Sequence, residues 1–216
     1  MRALSWALAW CLIASLAGGL PASARIGPPK QKTKTIAPTG PVVLVFPPDT
    51  LQGSGDLTTD VVTEVEESRL NASHVYQALA FLRSLPTIKR SLNDATLTNP
   101  DVSPPFEDIV KLKKLAQAAG YNFVLSTAFD AYRFDPEKGQ IHITLSARLI
   151  DFSGEKPKVQ SATASGVTPE KSAQHETDVA AARQLVRSLT GQLMDSLLPK
   201  TAPASSAPAA RRGSVR

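Results

Sequence analysis

Three histidines, His74, His142 and His175, are the obvious candidates for metal or acid–base chemistry, and none stands at ligand spacing from another or from a carboxylate pair. Gly53-Ser54-Gly55 falls between an apolar run and a helical pattern, where phosphate-binding loops occur. It lacks both the Gly-Lys-Ser/Thr ending of a P-loop and the third glycine of a dinucleotide fingerprint, so it reads as a flexible connection. Glu64, Glu66 and Glu67 are clustered, but helical spacing spreads them over different sides, as expected of a solvated face. Asn71-Ala72-Ser73 is a glycosylation sequon that matters only in a eukaryotic secretory pathway. Tyr132-Arg133-Phe134 sits beside a turn, either as local packing or as an exposed aromatic tip able to touch a partner. These patterns point to no catalytic residue, no cofactor and no metal.

The amino terminus speaks of compartment. Met1-Arg2 precedes an apolar run from Ala3 to Leu20, and Pro21 and Ala22-Ser23-Ala24 follow. Charge, apolar core and small-residue site in that order predict a cleavable signal over residues 1–24. The run is Ala-rich and too short for a membrane anchor, and no later stretch approaches the length of a span. Cys11, the single cysteine, lies inside the apolar run after Trp10, which is the wrong place for lipidation. The mature chain is thus expected to be exported, periplasmic or extracellular, with neither disulfides nor thiolate sites.

Charge position excludes another class. The net charge is +5, yet residues 42–199 hold 15 Lys and Arg against all 19 Asp and Glu and so carry −4. The excess cations lie in two Pro-, Ala-, Ser- and Thr-rich arms, residues 25–41 and 200–216, which contain no acid. Such compositions cannot bury enough apolar surface to fold and are expected to be disordered. They suit solvated linkers, or weak contact with an anionic lipid or wall surface. Nucleic acid is a poor fit to an acidic core without a basic stripe.

Between the arms, residues 42–199 read as one domain. Val42 to Phe46 is a continuous apolar run closed by Pro47-Pro48, which suits a strand buried on both faces. A helix capped by Asp56 is expected next, with Leu57, Val61 and Val65 inward. Val75 to Phe81 can be strand or helix and is read as strand, followed by a short helix from Pro86 through Leu92. Ser103-Pro104-Pro105 opens a further helix, which Gly120 ends. Tyr121 to Phe129 and Ile141 to Leu149 alternate apolar and polar residues about a turn at 135–139, predicting a hairpin with one buried and one wet face. A third strand, Lys158 to Ser165, is polar and Lys-flanked as edges are. Thr168-Pro169 is read as the cap of a long last helix with Val179, Ala182, Val186, Leu189, Leu193 and Leu197 inward. The fold class is therefore α+β: a single, mainly antiparallel sheet of four to five strands flanked by helices, with a three-strand meander over 121–165 and a long C-terminal helix.

Two segments resemble a known group. Leu115-Ala116-Gln117-Ala118-Ala119-Gly120-Tyr121-Asn122-Phe123-Val124-Leu125-Ser126-Thr127 is similar to a helix-to-strand junction, and Ser146 to Glu155 to a strand and turn, of periplasmic modules. These are the TolB amino-terminal domain, the curli-secretion protein CsgG and the lipoprotein activator of penicillin-binding proteins. The resemblance implies a non-catalytic envelope module that binds another protein; the alternatives are a part of a CsgG-like secretion assembly and an envelope enzyme. Unlike the lipid-anchored CsgG pore and penicillin-binding-protein activator, the chain is expected to carry no lipid anchor, and no hairpin beyond the short meander is expected where the pore has long membrane-spanning ones. An edge strand can accept a strand from a partner, so Lys158, Gln160 and Thr163, with Tyr132, Arg133 and Phe134, are the partner-contact candidates. Lys156, Pro157 and Lys158 equally suit an edge guarded against pairing.

Overall fold

The computed structural model describes residues 40–51, 59–175 and 177–199. The expected signal over residues 1–24, nearly all of the first arm, the second arm, Gly53-Ser54-Gly55 and the expected cap Asp56 lie outside the described residues.

Five strands and four helices form an α+β domain: β1 Val42–Val45, α1 Thr59–Ala72, β2 Gln77–Ala80, α2 Pro86–Asn93, α3 Ile109–Ala119, β3 Phe123–Asp135, β4 Gln140–Asp151, β5 Lys158–Val167 and α4 Val179–Leu197. The sheet order is β2-β1-β3-β4-β5. β1 is parallel to β2 and β3, over four and three residue pairs; β3–β4 and β4–β5 are antiparallel over twelve and ten. By length the sheet is thus mainly antiparallel. β1 is an interior strand, flanked by β2 and β3 and covered on both faces, which is why Val43, Leu44, Val45 and Phe46 are all buried.

Each face carries its own core. α1 and α4 cover one face, where Val62, Leu70, Val186 and Leu193 pack on Val43, Leu125, Ile143 and Leu145. α2 and α3 cover part of the other, where Ile88, Leu112 and Leu115 pack on Leu44, Val124 and Ile150. Phe46 is stacked on Phe81 at 4.5 Å between ring centroids and tilted against Phe106 at 4.8 Å.

Val75 to Phe81 supplies a strand, and Pro86 opens α2, as the residues suggested. Gly120 ends α3 at φ +83°, a left-handed conformation that glycine adopts without strain. Four expectations are corrected. α3 starts at Ile109 rather than after Ser103, because the Asp108 carboxylate accepts from Val110 N at 2.8 Å and caps the helix there. α4 starts at Val179, not at Pro169; Thr168 instead closes the β4–β5 ladder, its N–H donating to Ile141 O at 3.0 Å and its hydroxyl accepting from Ile141 N at 2.9 Å. The hairpin is not wet along one whole face, since α3 also buries Val124 and Ile150 at its inner end. β5 is not polar on both faces: Ala162, Ala164 and Gly166 turn towards α4.

Candidate functional site

The two edges of the sheet differ. β2 has only four residues, and Asn71 Oδ1 of α1 accepts from Ala78 N at 2.9 Å, which closes part of that edge. β5 has ten residues, and among the described residues no strand lies beyond it.

The bond between Thr168 N and Ile141 O sets the phase of the β4–β5 ladder, because antiparallel pairs alternate between bonded and non-bonded. The register has no shift, so Gly166, Ala164, Ala162, Gln160 and Lys158 turn their backbone groups towards β4. Val159, Ser161, Thr163, Ser165 and Val167 turn theirs outwards. All five of these are exposed.

β5 also borders the sheet face that α2 and α3 leave open. Its β3 and β4 residues include Arg133, His142, Thr144, Ser146 and Arg148. A cavity of about 620 Å³ at the hairpin end is lined by Arg133, Phe134, Asp135, Glu137, His142 and Thr144, among others. A second, of about 260 Å³, lies where Glu107 meets Ser126, Asp130, Ser146 and Arg148. Ser146 donates there to Asp130 Oδ1 at 2.9 Å, while Arg148 donates to the main-chain oxygen of Glu107 at 2.8 Å and Ser126 to that of Phe106 at 2.8 Å. No group of His, Cys, Asp and Glu able to hold a metal occurs among the described residues. No described helix is long and apolar enough to cross a membrane.

The six contact candidates do not form one patch. Tyr132 pairs with Ile143, which pairs with Gly166, whereas Lys158 pairs with Asp151 at the other end of β5. Eight residues of strand, about 27 Å, separate those levels. Tyr132 and Phe134 are half-buried and pack against the α1–α4 core, so the tip is local packing more than a projecting aromatic pair. Arg133 and Thr163 lie on the open face. Lys158 and Gln160 lie on the opposite face, where they line a small hollow with Tyr76, Phe123, Leu149 and Asp151. Of the three β5 candidates, Thr163 alone has its backbone groups on the free edge.

Two buried acids were not foreseen. Asp49 follows the prolines after β1, and its Oδ2 accepts from Phe106 N at 2.6 Å, pinning the loop before α3 to the sheet. Burial raises its pKa against that hydrogen bond. Glu66 corrects the expected solvated face outright: it is fully buried, with Thr127 donating to its Oε1 and no partner for Oε2 among the described residues. Burial pushes its pKa up to about 8. α1 turns Val61, Val62, Glu66 and Leu70 inwards, while Glu64 pairs with Arg187 on the surface.

No family model matches the chain, and no curated protein matches it. Among solved structures it is similar to PelC from Paraburkholderia phytofirmans, crystallised as a dodecamer, with 14% identity, TM-score 0.45 and coverage of 73% of this chain and 88% of that one. It is also similar to the lipoprotein GNA1162 from Neisseria meningitidis, with 18% identity, TM-score 0.38 and coverage of 72% and 99%. The C-terminal domain of LpoB from Salmonella enterica aligns with 16% identity, TM-score 0.39 and coverage of 61% and 84%. LpoB belongs to the penicillin-binding-protein activators, one of the groups that the two sequence segments resemble. At such identities and TM-scores the likeness brings no partner, assembly or activity with it.

Proposed function

We propose that this protein is a non-catalytic, exported module of the bacterial cell envelope that works by binding another protein chain. The observation that carries the reading is the long free edge of β5, with five consecutive outward positions from Val159 to Val167 and an open sheet face beside it. A strand laid along that edge would gain main-chain hydrogen bonds, and the side chains of the open face would select it. The two basic arms would add at most weak contact with an anionic surface.

The test is capture of partners from the native envelope by the wild-type protein and by Thr163→Pro. Proline removes one outward N–H without touching the β4–β5 ladder, a position edge strands tolerate. Loss of a captured protein with an unchanged melting temperature supports the reading. Equal capture by a folded Thr163→Pro protein, or turnover of a hydrolase substrate that is lost with a single side chain, refutes it.

A further inference from the structure

The outward positions of β5 have a symmetry of their own. Val159, Ser161, Thr163, Ser165 and Val167 read the same in both directions about Thr163. A contact between identical chains across a two-fold axis requires such self-complementarity, because each residue must meet its own counterpart or a matched one.

The geometry points to a second copy of this chain as the occupant of the β5 edge: the two β5 strands pair antiparallel about Thr163, joining two five-strand sheets into one of ten. This rests on the strand-addition reading and names the strand that is added.

With the axis at Thr163, Thr163 faces its counterpart, Ser161 faces Ser165 of the second copy, and Val159 faces Val167. Every one of these pairs joins two outward-turned residues, so each can exchange both main-chain bonds, about ten in all. The side chains suit one another: Thr–Thr and Ser–Ser pairs hydrogen-bond across strands, and apolar pairs pack. Val159 and Val167, 41% and 44% exposed, are two of the five large hydrophobic residues exposed among the described residues.

Charge agrees. Residues 159–167 contain no ionisable side chain and no proline, so the guards Lys156, Pro157 and Lys158 stand at one end of the strand. The two-fold sets Lys158 opposite Thr168 and keeps the two Lys158 residues about 33 Å apart. On α4, which overhangs β5 through Leu185 and Leu189 at Gly166, the charges of Arg183, Arg187 and Asp195 are taken up by Asp60, Glu64 and Arg69 of α1. The β2 edge is short and partly closed by Asn71, which disfavours β5-to-β2 chains that would not terminate.

The experiment combines mass and cross-linking on the full-length chain in a Cys11→Ser background. Sedimentation at about 0.1 mM, well above a micromolar Kd, is expected to give twice the monomer mass. Thr163→Lys sets like charges against each other at the axis and should halve the mass while the melting temperature holds. Thr163→Cys should form a disulfide-linked dimer on mild oxidation, since bonded pairs have Cα atoms about 5.5 Å apart. Ser161→Cys and Ser165→Cys should cross-link when mixed and not alone, because each lies four residues from its own counterpart. A wild-type monomer without a Thr163→Cys cross-link overturns the proposal, and so does a cross-link of Ser161→Cys alone. If such a monomer still captures an envelope protein in a manner that Thr163→Pro abolishes, the self-pairing fails and the strand-addition reading stands.

Discussion

Replacing Glu66 with Gln should flatten the pH dependence of stability. The side chain is fully buried on α1, and its pKa is raised from 4.5 to about 8, chiefly by burial, with the Thr127 hydrogen bond opposing and Glu67 adding a little. The folded protein therefore keeps a proton that the unfolded chain gives up. The stability held through this proton is fully present below pH 4.5, falls as pH rises towards about 8, and levels off beyond. A shift of that size corresponds to roughly 5 kcal/mol in total, a large share of the 5–15 kcal/mol that typically holds a domain together. Between pH 5 and pH 8 the wild-type protein should lose roughly 3–4 kcal/mol on this account.

Glutamine has nearly the same shape and an oxygen that can accept from Thr127, and it does not ionise. Asp49, whose pKa is also raised, is present in both proteins and cancels in the difference. Urea unfolding of both proteins at pH 5, 6.5, 8 and 9 measures the effect. Relative to wild type, Glu66→Gln should gain roughly 3–4 kcal/mol between pH 5 and 8 and only a few tenths more by pH 9, whatever constant offset the amide brings. Parallel curves would refute the reasoning, and so would a gain that appears only below pH 5, where both side chains are neutral.

Phe46→Ala should cost about 3–5 kcal/mol, measured by urea unfolding, because it removes one ring of the three-ring cluster it forms with Phe81 and Phe106 in the α2–α3 core. Gly40→Ala should lower the melting temperature, at a cost of about 1–3 kcal/mol, because its new Cβ would stand 2.0 Å from the carbonyl oxygen of Val75, a backbone atom that cannot step aside. Asp108→Ala should cost about 1 kcal/mol in the same assay through loss of the α3 cap. Limited trypsin digestion should cut at Lys30 to Lys34 and at Arg211 and Arg212 and leave a stable fragment near residues 40–199, read by mass.

Where local chemistry decided structure, the sequence was legible. Val42 to Phe46 had no polar residue to show to water, and it became an interior strand between β2 and β3. Gly120 stood where a left-handed residue ends a helix. The alternation about residues 135–139 could be satisfied only by a hairpin. The failures arose where two local patterns competed. α1 contains Val61 and Val65 at helical spacing and also Val62, Glu66 and Leu70. An acid in the second series made it look wet, and nothing within the helix says that Thr127, sixty-one residues away, awaits that carboxyl. Thr168-Pro169 carries the signature of a helix start, but the ladder uses the same hydroxyl first, and the chain needs ten more residues before α4 can begin.

The free edge shows the same limit more sharply. Along β5 the alternation divides side chains between two faces, and the sequence displays that division. Whether the outward backbone groups belong to the odd or the even positions is a separate matter, because it depends on which residue of β4 bonds to which residue beyond the strand's end. One hydrogen bond, from Thr168 N to Ile141 O, settles it for the whole ladder. Had the phase been opposite, the outward set would have been Lys158, Gln160, Ala162, Ala164 and Gly166, which has no two-fold symmetry and carries a charge. The residue that imitates a helix cap is therefore the one that assigns Val159, Ser161, Thr163, Ser165 and Val167 to the edge.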